Sequence, residues 1–219
     1  MTESLAADGA PVSLAEQAYL ALRDRLIMLD ITPGEPLNER ALMAELGIGR
    51  TPLREALKRL ESDHLVTTFP RRGTFATRVD ITELAAVSEV RQLMEPLAAR
   101  KAASHADPAS HAALRQLRRR VEQLPESTPL RDVLAQDLDV HRMVYRVAGN
   151  PHLEEPLVRL VNLATRIWFL VGHRLPDVSA HIHEHVGLLD AILAGEPDHA
   201  EQIASDHVRH FDALVRSLI

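Results

Sequence analysis

The sequence predicts a mainly α-helical protein, with a small N-terminal domain of short helices and one hairpin followed by an antiparallel all-helical bundle. Three observations predict it. Hydrophobic residues make up 46% of the 219 residues but aromatics only 3%, so the core must be built from Leu, Val, Ala and Ile, a composition that suits packed helices. The first 80 positions hold short helical patterns broken by Gly and Pro, then a single stretch rich in β-formers. From Asp80 onward helical signals repeat with no strand signal, and the chain length favours two domains over one.

Residues 1–12 are small, polar and aperiodic and read as a loose arm. Ser13-Leu14-Ala15-Glu16 has the form of a capping box, and Leu14, Ala18, Leu22, Leu26 and Leu29 follow it at helical spacing. Pro33, Gly34 and Pro36 end that helix. Asn38 then caps a short helix through Leu46, stopped by Gly47. After a tight glycine-containing turn, Thr51 offers a cap and Pro52 a first helical position for a third helix reaching Asp63. Leu65–Phe69 and Thr74–Val79 are rich in β-formers and flank Pro70-Arg71-Arg72-Gly73, a hairpin with a basic tip. Helix, tight turn, helix and hairpin together describe a winged helix-turn-helix over residues 13–79.

The second domain spans residues 80–219, with helices expected over 82–104, 108–123, 130–148, 152–172, 179–194 and 197–218. Asp107-Pro108, Pro125–Pro129, Gly149-Asn150-Pro151, Leu175-Pro176-Asp177 and Gly195-Glu196-Pro197 punctuate them. Pro96 lies within the first and is expected to kink it. Such a series of helices joined by short loops is an antiparallel bundle.

With no cysteine, disulfides, thiolate metal sites and cysteine nucleophiles are excluded. The longest apolar stretch, Leu160–Gly172, is interrupted by Asn162 and Arg166 and is too short to span a bilayer. Met1–Pro11 has neither the basic start nor the apolar run of a signal peptide, so a cytoplasmic protein is expected. The formal net charge is -6, yet between Arg50 and Arg78 basic residues outnumber acidic ones by seven to three.

That local excess has a pattern. Arg50, Thr51, Arg54 and Lys58 share or border one face of the third helix, while Leu53, Ala56, Leu57 and Leu60 can pack inward. An arginine at the start of such a helix can donate two hydrogen bonds to guanine O6 and N7, worth about 1–3 kcal/mol of discrimination. Arg40 at the start of the second helix, and Arg72 with Gly73 at the hairpin tip, are placed to flank the groove.

In the bundle, four potential metal ligands fall on otherwise apolar faces. The inward stripe of helix 130–148 is Leu134, Asp137, Leu138, His141, Val144, Tyr145 and Ala148; Asp137 and His141 are one turn apart on it. His185 joins Ile182, Leu189 and Ile192, and His207 joins Ile203, Ala204, Phe211, Leu214 and Leu218. Burying a carboxylate and three imidazoles costs several kcal/mol unless something pairs with them, as a divalent metal ion would. Oxygen and imidazole donors suit Zn, Ni, Mn or Fe, with zinc first on frequency. His183 and His210 fall on polar faces, and His181, His199, His105 and His111 lack inward company, so the surface is expected for all six.

The runs Pro33–Glu39, Leu46–Glu61 and Arg72–Phe75 resemble the GntR family of bacterial transcriptional regulators. In that family the residues matching Arg40, Arg50, Thr51, Arg54 and Gly73 contact operator DNA, and the resemblance implies the same roles here. His64 departs from the pattern, standing where the family usually has a glycine that ends the recognition helix. Glu89–Arg100, Asp137–His141, Ala148–Pro151, Glu184-His185 and Ala191–Gly195 are similar to the all-helical FCD effector domain of the FadR-type branch. The resemblance implies that Asp137, His141, His185 and His207 hold a metal, that a small carboxylate effector completes its coordination, and that Arg91 assists, although Arg91 can equally be solvated or pair with Glu95. It also implies a homodimer on two-fold operator DNA, while the lack of a spanning apolar stretch implies no membrane partner.

Three readings stay open on sequence: an effector-controlled DNA-binding regulator, most naturally a repressor; a metal-dependent hydrolase fused to a DNA-binding module; and a DNA-binding protein with a purely structural metal. The first is favoured, because no separate general base is evident beside the four ligands, Glu184 next to His185 being the one candidate, and because this donor set need not fill an octahedral ion's coordination.

Overall fold

The computed structural model describes residues 12–174 and 178–217, so the expected arm over residues 1–12 lies almost wholly outside the described residues. The chain divides into two compact units, Met1–Val79 and Asp80–Ile219. In the first unit, α1 (Leu14–Ile27) begins at Ser13, whose side chain accepts the Glu16 N–H at 3.1 Å. It ends before Leu29, which takes a left-handed conformation at φ 56. The apolar spacing that continued through Leu29 therefore overran the helix, because local packing can use an apolar residue just beyond a helix end.

Asn38 caps α2 (Glu39–Leu46) by accepting the Ala41 N–H at 3.0 Å, and Gly47, at φ 64, ends it. The next helix, α3 (Arg50–Ser62), starts earlier than expected. Gly49, not Thr51, is its N-cap, and the Leu53 N–H already reaches the Gly49 carbonyl at 3.4 Å, which places Thr51 inside the first turn. At its other end the His64 N–H bonds the Glu61 carbonyl at 3.0 Å and the Leu65 N–H bonds the Leu60 carbonyl at 2.9 Å. This is the Schellman arrangement, with buried Leu60 and Leu65 as its apolar pair. His64 supplies the left-handed residue at φ 59, so the helix end keeps a glycine-like backbone without the glycine.

The hairpin pairs β1 (Val66–Phe69) with β2 (Gly73–Ala76) in antiparallel register, Val66 opposite Ala76 and Phe69 opposite Gly73. A third backbone segment lines its edge: the Leu37 N–H bonds Thr74 O at 2.8 Å and the Ala76 N–H bonds Glu35 O at 2.9 Å. The unit is tied together where α1 packs on α3. There the Tyr19 hydroxyl donates to Asp63 at 2.7 Å, and the Arg59 guanidinium lies 3.7 Å over the Tyr19 ring.

The second unit opens with a 3-10 turn at Ile81–Glu83, capped by Asp80, where a helix start at 82 was expected. It continues with α4 (Leu84–His105), α5 (Pro108–Glu122), α6 (Leu130–Val147), α7 (Pro151–Val171), α8 (Val178–Ala194) and α9 (Pro197–Arg216). Helix α4 runs through Pro96 and packs against α6, α7, α8 and α9, so it forms the axis of the bundle. Asp107 caps α5 through the Ser110 N–H at 2.7 Å, and Asn150 caps α7 through the His152 N–H at 3.1 Å. On α9 the inward face is Ala204, His207, Val208, Phe211 and Val215; Ile203 and Leu214 are half-buried, and Leu218 lies outside the described residues.

Candidate metal centre and DNA-facing surface

Helix α6 directs Asp137 and His141 inward, α8 directs His185 and α9 directs His207, and each of the four is at most 4% exposed. The 3.6-residue period puts them there: every one occupies a position that a leucine or valine fills elsewhere on its stripe. Each offers a ligand atom within 4.8 Å of those of the other three. His141 Nε2 is 3.8 Å from Asp137 Oδ2, and the His185 and His207 ring centres are 4.2 Å apart.

The outer nitrogens of the three imidazoles are already engaged. His141 Nδ1 is 3.2 Å from Glu95 Oε2 and 3.2 Å from the Tyr145 hydroxyl. His185 Nδ1 is 3.1 Å from the Ile182 carbonyl, and His207 Nδ1 is 3.0 Å from Glu184 Oε2. A nitrogen that donates to an oxygen leaves its ring partner with a free lone pair, and metal-binding histidines are oriented in this way. Consistent with that, His185 Nε2 and Asp137 Oδ1 are sealed from solvent without a hydrogen-bond partner. Unpaired buried acceptors that converge from separate helices fit a divalent cation.

The electrostatics agree. Burial lowers the His185 pKa well below its ordinary value, with the neighbouring imidazoles adding to the effect. Burial, then His181, brings His207 down to about 3 against the opposing pull of Glu184. Both are therefore neutral and able to donate a lone pair at pH 7. Burial alone would raise the Glu95 pKa, but Arg91 and then His141 lower it below the usual carboxylate range.

Arg91 lies on α4, only 3% exposed, with Nε 2.5 Å from Glu95 Oε1. Of the alternatives open in the sequence, pairing with Glu95 is the one observed and solvation is not. Its guanidinium also lines a cavity of about 10 Å³, room for about one water, shared with Asp137, His141, His207, Thr165 and His181.

His181 corrects the sequence reading. Expected at the surface, it is 1% exposed, stacked on the His207 ring at 4.1 Å and edge-on to Trp168 at 4.5 Å. Its own helix shows little apolar company around it, and its cover comes from α7 and α9. One signal was available: His181 lies four residues before His185 and so shares its face. Glu184 and Glu95, which hold His207 and His141, stood out in the sequence only as a candidate base and as a partner for Arg91, since their contacts with the histidines cross between helices.

In the first unit Arg40, Arg50, Thr51, Arg54 and Lys58 are all exposed, while Leu53, Ala56, Leu57 and Leu60 are buried beneath them. Arg54 is 3.9 Å from Glu39, an exposed contact that leaves its guanidinium accessible. Arg72 and Gly73 are exposed at the hairpin tip, with Arg72 5.8 Å over the ring of Phe69. Among the described residues no helix is long and apolar enough to cross a membrane.

Residues 14–76 match the profile of the bacterial regulatory proteins of the gntR family, and residues 86–210 match that of the FCD domain. An HTH-type transcriptional regulator in an unstable DNA locus of Streptomyces ambofaciens is 28% identical over 90% of this chain and 84% of its own length. The HTH-type transcriptional repressor RspR of Escherichia coli is 23% identical over 93% of this chain and 89% of its own. Among solved structures, Escherichia coli McbR/YncC superposes with a TM-score of 0.80 at 22% identity, covering 95% of this chain and 99% of that one, a likeness of fold.

Proposed function

The chain belongs to the GntR family of bacterial transcriptional regulators, with an FCD domain after its winged helix-turn-helix, and from that premise we propose a repressor whose operator affinity is set by a small carboxylate bound at a metal centre. The observation that carries this reading is the convergence of Asp137, His141, His185 and His207 on one point, with outer nitrogens oriented and with His185 Nε2 and Asp137 Oδ1 unpaired, beside a cavity lined by Arg91. The four would hold a divalent ion, zinc first among Zn, Ni, Mn and Fe, and the ion would supply a Lewis-acidic anchor for a carboxylate. Arg91 would balance the acid's second oxygen. Since the cavity has room for about one water, an organic acid enters only if the helices around it shift, and that shift is the signal.

On the DNA side, Arg50 reads a base edge from the start of α3, Arg40, Thr51 and Arg54 hold phosphates, and Arg72 with Gly73 brings the hairpin tip to the adjacent groove. A homodimer fits an apolar stripe left uncovered on α4, where Val90, Leu93 and Leu97 are 40%, 75% and 46% exposed at helical spacing. A non-enzymatic role is favoured over a hydrolase because both carboxylates that flank the four ligands are engaged, Glu184 by His207 and His210 and Glu95 by Arg91 and His141.

The test starts with metal analysis of the purified protein. Operator sites selected from random DNA then serve in anisotropy titrations of the metal-loaded protein with a panel of small organic acids. The double variant His185→Ala, His207→Ala is expected to lose both metal and acid response. Unchanged metal content in that variant, or an operator affinity no acid alters, sinks the reading.

A further inference from the structure

We propose that His181, Glu184 and His210 form a second divalent-cation site on the solvent side of the buried centre, linked to it through Glu184. The three residues come from the start of α8 and the middle of α9, and each offers a ligand atom within 4.8 Å of the others. Their burial grades outward: His181 is 1% exposed, the Glu184 side chain 31% and the His210 side chain 54%. Two imidazoles and a carboxylate, with room for water on the open side, are the donor set of a zinc-class ion.

The observation that calls for a ligand is His181. Both of its ring nitrogens are sealed from solvent, and neither makes a hydrogen bond. An imidazole ordinarily has a partner at each nitrogen when it is buried, so an arrangement with none is costly. Glu184 Oε2 stands 3.4 Å from His181 Nδ1, a long contact that is an ion pair only when the imidazole is protonated, and a spacing that a cation beside them would exploit. Packing against His207 and Trp168 accounts for the place of the His181 ring but not for its two unanswered nitrogens.

Glu184 belongs to both clusters. Oε1 is 2.5 Å from His210 Nδ1, while Oε2 is shared, 3.0 Å from His207 Nδ1 and 3.4 Å from His181 Nδ1. A cation that draws on this carboxylate competes with the contact that orients His207, so the two sites fill with unequal and linked affinities. The outer site stands independently of the function proposed above; only the linkage rests on it.

Zinc titrated into the metal-free full-length protein, in competition with a chromophoric chelator, reads both stoichiometry and affinity. The expected result is two ions per chain, with the second lost or bound at least ten-fold more weakly in His210→Ala, an exposed position whose substitution leaves the fold intact. Two ions retained at unchanged affinity in His210→Ala overturns the proposal. So does one ion per chain in both proteins. A single ion lost in His210→Ala but kept in His141→Ala supports the outer site and removes the buried one, so failure of either assignment is distinguishable from failure of the other.

Discussion

His64 carries a backbone conformation that suits glycine. In the left-handed region its Cβ crowds the adjoining carbonyl, at a cost of about 1–2 kcal/mol, and it persists because the Schellman bonds and the buried Leu60–Leu65 contact hold the chain there. Thr77 adds a hydroxyl bond to the His64 carbonyl at 2.8 Å. His64→Gly should therefore raise the stability of the N-terminal unit by about 1 kcal/mol in urea melts, since the strain relieved exceeds the entropy glycine adds to the unfolded chain. The buried histidines set a second expectation. In the metal-free protein His207 binds a proton only near pH 3, whereas an unfolded histidine does so near its ordinary value of 6.5. Between those values the unfolded state holds the extra proton, so stability is fully present above 6.5 and falls as pH drops toward 3. Urea melts of chelator-treated protein at pH 7.5 and 5 should show this loss, and pH-independent midpoints would contradict it.

At the scale of elements, α3 is a stripe of buried leucines beneath a face of exposed basic groups, and its first turn starts at Arg50 rather than after Thr51. The earlier start brings Arg50 onto the helix itself. Arg50→Ala is expected to weaken specific operator binding by about 1–3 kcal/mol, with little change in thermal midpoint, as measured by anisotropy alongside scanning calorimetry. Equal losses on operator and random DNA would reassign Arg50 to the phosphate backbone. Periodicity explains how much of this was readable. A residue buried by its own helix's apolar face announces itself every three or four positions, and Asp137, His141, His185 and His207 were legible for that reason. His181 is buried by Trp168 and Phe211 from other helices, and the segment 34–37 pairs with β2 through backbone groups that every residue carries. Neither dependence is written in local spacing. The starts of α3 and α4 differed from expectation because several neighbouring residues can cap, and only the observed hydrogen bonds select among them.

For the whole molecule, the exposed α4 stripe of Val90, Leu93 and Leu97 is the feature with the widest reach. In a two-fold pair each substitution is felt twice, so Leu93→Glu should shift the equilibrium toward monomer by on the order of ten-fold or more in sedimentation experiments. Operator affinity should fall with it, because a lone recognition helix loses the half-site partner. A dimer unmoved by Leu93→Glu would place the interface on another face. The same central helix that presents this stripe outward carries Arg91 and Glu95 inward, toward the cluster on α6, α8 and α9.

Arg91 and Glu95 also limit how such a protein can diverge. One turn apart and sealed from water, they neutralise only each other and the groups around the cavity. Replacing either alone strands a charge in the bundle at about 3–5 kcal/mol, a large part of a domain's whole stability. If the cavity takes up an acid as proposed, a descendant that binds a differently charged small molecule has few single steps open to it. It would have to exchange both residues together, or keep the pair and alter its specificity through the neutral wall at Thr165 and Trp168.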